Sequence, residues 1–182
     1  MRPAAPVRPF STEPSFVLMK IRFLLSLLVT LSPLVAAPAF NGAAPLEWST
    51  RLARAEMTRR GDTLFFGGAP KARWDYTSAL FGLALVHLGE RVGDSAMTEY
   101  GYRTSESFLA RDGSIRTYDP ADFNLDMIPA GRLLLLRYDR TSDAKLRKPL
   151  ETLRQQLARQ PRTSDGGFWH KQRYPHQMWL DG

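Results

Sequence analysis

The chain has 182 residues, 43% of them hydrophobic and 24% charged, with no cysteine and a net charge of +7. That length and balance describe one globular domain, or part of one, and exclude a disordered chain, a disulfide framework and a thiolate metal site. The basic surplus does not point to nucleic acid: Arg2, Arg8, Lys20 and Arg22 against Glu13 place +3 of it before residue 40, and the remaining +4 is interspersed with Asp and Glu.

Residues 19–22 (MKIR) form a short basic start, residues 23–35 are an apolar run, and Val35-Ala36-Ala37 or Ala37-Pro38-Ala39 supplies small residues for cleavage. This pattern predicts a secretory signal peptide with Met19 as its initiator, hence a periplasmic or secreted protein. The apolar run is shorter than the roughly 20 residues a membrane span requires, so no stable membrane anchor is expected. Residues 1–39 are therefore read as an N-terminal extension and signal peptide, and residues 40–182 as the folding part.

Two kinds of helical pattern then alternate. Residues 46–60 carry Trp48, Leu52 and Ala55 on one face, as an amphipathic surface helix does. Residues 76–88 are apolar nearly all round, which predicts a buried helix with His87 as a satisfied core histidine. Residues 94–110 return to a single stripe through Met97, Gly101, Thr104 and Phe108, and residues 126–138 are again apolar on most of their circumference. Residues 143–160 show the clearest stripe, with Leu146, Leu150, Leu153 and Leu157 at spacings of four, three and four.

The pattern repeats at an offset of 49: Gly82 matches Gly131, Leu85 matches Leu134, and the stretch from Arg91 to Asp94 matches that from Arg140 to Asp143. Stacked helical hairpins produce such a repeat. The expected fold class is all-α, and inner helices apolar all round favour a closed α/α barrel over an open solenoid. Links from buried to amphipathic helix are tight, while links back, over 61–75, 111–125 and 161–180, are long and polar. Long irregular loops in a compact domain are usually functional, and these three must emerge at one end. Trp74, Asp75 and Tyr76, then Asp126, then Trp179 with Asp181 would converge on one cavity.

The last stretch, residues 161–182 (PRTSDGGFWHKQRYPHQMWLDG), has no apolar periodicity but is dense in chemistry. Phe168, Trp169, Tyr174 and Trp179 offer flat faces on which a sugar ring can stack, among donors from His170, Lys171, Gln172, Arg173, His176 and Gln177 and a carboxylate at Asp181. A loop pinned down by its aromatics is the alternative. Three histidines without an HExxH pattern or an acidic cluster predict no metal and no cofactor, and no GxSxG elbow supports a serine nucleophile.

On GGFWHK, YPHQMWLDG and the segment from Asp126 to Gly131, residues 46–182 resemble the glycoside hydrolase family 105 unsaturated rhamnogalacturonyl hydrolases, relatives of the family 88 unsaturated glucuronyl hydrolases. The resemblance implies an (α/α)6 barrel of which this chain is the N-terminal half. It implies Asp181 as catalytic general acid/base and Asp126 as the second essential carboxylate, with a substrate pocket from Trp74, Tyr76, His170, Lys171, Gln172, Arg173, Tyr174 and Trp179. The implied partner is an unsaturated uronyl oligosaccharide left by a polysaccharide lyase, released by hydration of its C4=C5 double bond. For a proton to leave and return, the Asp181 pKa should be raised. Read from residues alone, Asp126 and Asp181 each stand at a helix start, where capping the N-terminus is the favoured role. Two other functions stay open: a non-catalytic carbohydrate-binding or scaffold remnant, and another six-hairpin sugar enzyme such as an epimerase or lyase.

Overall fold

A computed structural model describes residues 39–63 and 72–179. Most of the expected signal peptide, part of the first long loop, and Asp181 lie outside the described residues. Five α-helices are present there: α1 (Pro45–Arg60), α2 (Tyr76–Val92), α3 (Ser95–Glu106), α4 (Gly131–Thr141) and α5 (Arg147–Arg159). The described residues contain only isolated bridges in place of strands, so the fold is all-α.

The 49-residue repeat is visible in the hairpins. Asp75 starts α2 by accepting from the Thr77 and Ser78 amides, and Gly93 ends it in the left-handed region at φ 71°. The second copy of that turn puts Ser142 in the same conformation at φ 52°. Asp94 then caps α3 through the Met97 amide, and Asp143 caps the turn leading into α5 through the Lys145 amide. Leu85 and Leu134, the matched inner positions, are 1% and 0% exposed. Gly82 lets α2 cross α3 at close range: a Cβ there would lie 2.7 Å from the Gly101 carbonyl oxygen and 2.0 Å from Thr104 Oγ1. Gly131, its counterpart, faces Leu153 of α5.

The main core runs between the helices through Trp74, Val86, Tyr102, Leu133, Leu134, Leu146 and Leu153. Each fully buried Leu, Val or Met side chain contributes about 1.5–3 kcal/mol. A second cluster of Ala53, Leu85, Met97 and Tyr100 attaches α1.

Four expectations need correction. Helix α1 turns Ala53, Met57 and Arg60 inward, leaving Trp48, Leu52 and Ala55 exposed. A buried arginine made that face hard to read: Arg60 lies over the Phe81 ring at 4.6 Å and pairs with Glu56 at 3.0 Å, so its stem packs while its charge is neutralised. Helix α2 is covered on one side only among the described residues, with Tyr76 and Leu80 44% and 66% exposed on the other. On that open side His87 is exposed and 4.0 Å from Glu90, not in the core. Finally, α4 begins at Gly131 and not at 126. Asn124 caps a 3₁₀ turn (Leu125–Met127), and Pro129 has no N–H to donate to the Leu125 carbonyl, so an α-helix cannot propagate through that turn.

Candidate functional site

The first wall of the site is the loop that carries Asp126. Trp74 braces it: its indole N–H donates to the Met127 carbonyl at 2.7 Å, and its amide donates to Thr117 Oγ1 at 2.8 Å. At 1% exposure, packed edge-on to Phe108, Trp74 is a strut under the loop and does not share a groove with Tyr76. The Asn124 side chain accepts from the Asp126 amide at 3.1 Å and sets the turn from which the Asp126 carboxylate projects.

The second wall is the stretch after α5. Thr163 and Gly167 close a turn through Gly166 at φ 93°, with Arg162 lying 3.9 Å above the Phe168 ring. The chain then doubles back, the His170 amide donating to Gln177 O at 2.7 Å and Tyr174 to Lys171 O at 3.0 Å. Two backbone bonds join the walls: Leu125 N–H to His170 O at 3.0 Å, and Gln172 N–H to Asp122 O at 2.9 Å.

These bonds bring side chains distant in sequence together. Lys171 Nζ is 2.5 Å from Asp126 Oδ2, and His170 Nε2 is 3.4 Å from Asp126 Oδ1. The His170 approach lacks hydrogen-bond alignment, so both nitrogens of this ring, 1% exposed, are without a hydrogen-bond partner. A buried polar atom left in that state costs about 1–3 kcal/mol. The imidazole lies flat beneath Trp179, with centroids 3.9 Å apart and planes 6° from parallel, and Tyr174 continues the stack at 6.0 Å. Lys171 Nζ is 5.5 Å from the Trp179 ring.

A cavity of about 440 Å³ reaches Asp126, walled by Tyr76, Leu80, Arg132, Leu157 and Phe168. Of the expected site residues, Asp126, His170, Lys171, Tyr174 and Trp179 therefore cluster, and Tyr76 joins them through the cavity. Gln172 and Arg173 are exposed; the first enters by its backbone alone, and the second lies over Tyr174 at 4.9 Å. Sequence reasoning missed Arg132, a charged residue directly ahead of the four leucines of an inner helix, which was a usable signal. It also missed Gln156 and Gln160, which no apolar stripe marks.

The model of Glycosyl Hydrolase Family 88 matches residues 48–182. Among solved structures, a glycoside hydrolase from family 105 of C. acetobutylicum ATCC 824 is similar at 32% identity and a TM-score of 0.59. The match covers 72% of this chain and 35% of that one, so this chain spans about a third of the length of that relative.

Proposed function

Since the chain belongs to Glycosyl Hydrolase Family 88, we propose that it forms the Asp126 side of a site that hydrates the C4=C5 double bond of unsaturated uronyl oligosaccharides. The observation that carries this reading is the Asp126 carboxylate held between Lys171 and a buried His170, whose ring is stacked under Trp179, at the end of a sugar-sized cavity. Lys171 and Arg132 suit the uronate carboxylate, and Trp179 and Tyr174 suit a ring face. Turnover is read as a property of the full-length protein, because so much of the solved relative lies outside the matched stretch.

In this chemistry a carboxylic acid, assigned to Asp181, protonates C4, and positive charge develops at C5. Water adds at C5 and returns a proton to the same carboxylate. The resulting hemiketal opens and releases the aglycone sugar. Asp126 orients the water and, as the ionised partner of Lys171, stabilises the charge at C5. We favour rhamnogalacturonan fragments of pectin as the source of substrate, on the resemblance of GGFWHK and YPHQMWLDG to the unsaturated rhamnogalacturonyl hydrolases. The pattern of residues 19–39 supports a periplasmic or secreted location.

The test is loss of the ultraviolet absorbance of the double bond when full-length protein meets lyase-treated pectin. Asp181→Asn and Asp126→Asn should each lower turnover by roughly 10²–10⁴-fold with circular dichroism unchanged. Near-normal rates in either folded variant would remove that residue from the mechanism.

A further inference from the structure

Behind the two walls, Gln156 of helix α5 and Gln160, which caps its C-terminus, form a pair of glutamines one turn apart and almost fully buried, at 1% and 4% exposure. Gln160 Nε2 donates to the Phe123 carbonyl at 2.6 Å and to the Trp169 carbonyl at 2.7 Å. The first carbonyl lies on the loop that leads to Asp126, and the second adjoins His170. One side chain thus spans both walls, at the points from which the carboxylate and the imidazole depart.

Its orientation is determined. Carbonyl oxygens only accept, so the Gln160 amide nitrogen must face them and its oxygen must turn back, where Gln156 Nε2 donates to it at 3.2 Å. Gln156 Nε2 spends its second hydrogen on the Asn124 carbonyl at 3.3 Å, and its oxygen accepts from the Tyr118 hydroxyl at 2.6 Å. Burial, reinforced by Asp119, pushes the Tyr118 hydroxyl up to about 12, which keeps it a donor across the working range. Both hydrogens of each amide are used, and every group in the chain of bonds has one permitted direction. The clamp also holds Phe123 at φ 45°, a left-handed conformation unfavourable to a bulky side chain.

We propose that Gln160, oriented by Gln156 and Tyr118, is a positioning residue that sets the separation of Asp126 from His170 and Lys171 for catalysis. The proposal rests on the functional reading above. Tyr76, Leu80 and Arg132 of the cavity wall belong to α2 and α4, outside the clamp, whereas Phe168, Lys171, Tyr174 and Trp179 ride on the stretch it holds, so loosening it should slow chemistry and weaken binding together.

The experiment uses full-length protein and a lyase-generated unsaturated oligosaccharide. Gln160→Met retains length and packing but loses both donors. It should lower kcat roughly 10- to 100-fold, since displacements near 1 Å have that effect. KM should rise by no more than that factor, because Tyr76, Leu80 and Arg132 keep their places. Added to Asp126→Asn it should cause no further fall, because it acts through that carboxylate. Amide exchange should quicken at Leu125 and His170 and remain unchanged in α1. A parental kcat, a raised KM with kcat intact, or an additive loss in the double variant would each overturn the proposal. If Gln160→Met does not fold, Tyr118→Phe removes a single hydroxyl from the relay and should lower kcat by roughly three- to tenfold, with any rise in KM no larger than that; a parental kcat there would overturn it equally. If the parent protein does not hydrate the substrate, the functional reading fails by itself. Exchange still tests the clamp in that case, and equal protection in parent and Gln160→Met would dismiss it.

Discussion

Trp74→Phe separates two roles for one residue. A pocket aromatic of the kind the family resemblance implies would lose substrate affinity on substitution and leave stability alone. A strut under the Asp126 loop does the reverse. Phenylalanine keeps an aromatic ring at this 1% exposed position, but it loses the indole N–H that reaches the Met127 carbonyl at 2.7 Å and vacates the volume of the fused ring. Deleting a buried donor from its acceptor costs about 1–3 kcal/mol. The unfilled ring volume adds about 1 kcal/mol more, taking the low end of large-to-small core substitutions because most of the side chain is retained. The expected loss is therefore about 2–4 kcal/mol, read as a lower urea midpoint at unchanged slope. In a steady-state assay KM should remain close to the parent value, while kcat falls as the turn bearing Asp126 loosens. A stability change below about 0.5 kcal/mol, the scale of an inconsequential surface substitution, together with a strongly raised KM, would put Trp74 back in the pocket wall and refute the strut.

Gly82→Ala should destabilise by about 1–3 kcal/mol, because its new methyl meets the Gly101 backbone. Gly131→Ala should cost less, since it meets only the Leu153 side chain, which can turn aside; equal urea midpoints for the two would contradict this ranking. Glu106 has its pKa raised, chiefly by burial and against the pull of Arg137, so its stabilising contribution is full below the usual glutamate pKa and is lost as pH rises through the raised folded value. Glu106→Gln should accordingly be more stable than the parent at neutral pH and should lose that advantage below about pH 4, measured by denaturation across pH. The open faces of α2 and α4, where Leu80 and Leu135 are 66% and 50% exposed, should make residues 40–182 alone bind a hydrophobic dye and self-associate. Leu80→Gln with Leu135→Gln should reduce both in sedimentation and fluorescence, and no reduction would show that other surfaces govern association.

The hairpins were legible because helix packing is written in local spacing. Leu146 and Leu153 fall where the stripe over 143–160 places them, and Gly93 and Ser142 end matched helices at matched positions. Counting which loops share an end brought Asp126 and Trp179 together, while the place of His170, Lys171 and Tyr174 beside them was implied by the family resemblance. What failed were inferences in which one residue's character was taken for its environment. Arg60 is charged yet faces inward, Trp74 is aromatic yet never meets the cavity, and the aliphatic residues of α2 are apolar yet one side stays open. Gln160 was invisible for a different reason. Its partners are backbone carbonyls, one of them 37 residues away, and a carbonyl leaves no mark in an amino-acid sequence.

That anonymity of acceptors has an evolutionary corollary. Trp74, Gln156 and Gln160 grip the rim at the carbonyls of Met127, Asn124, Phe123 and Trp169, groups that every residue type supplies. Mutation can rewrite the side chains of Phe123 and Trp169 without removing an acceptor from the scaffold beneath, whereas Asn124 also sets the Asp126 turn and Met127 packs in the core. The burden of constancy then falls on three buried donors, and the other rim side chains are left to drift while the backbone keeps the same course.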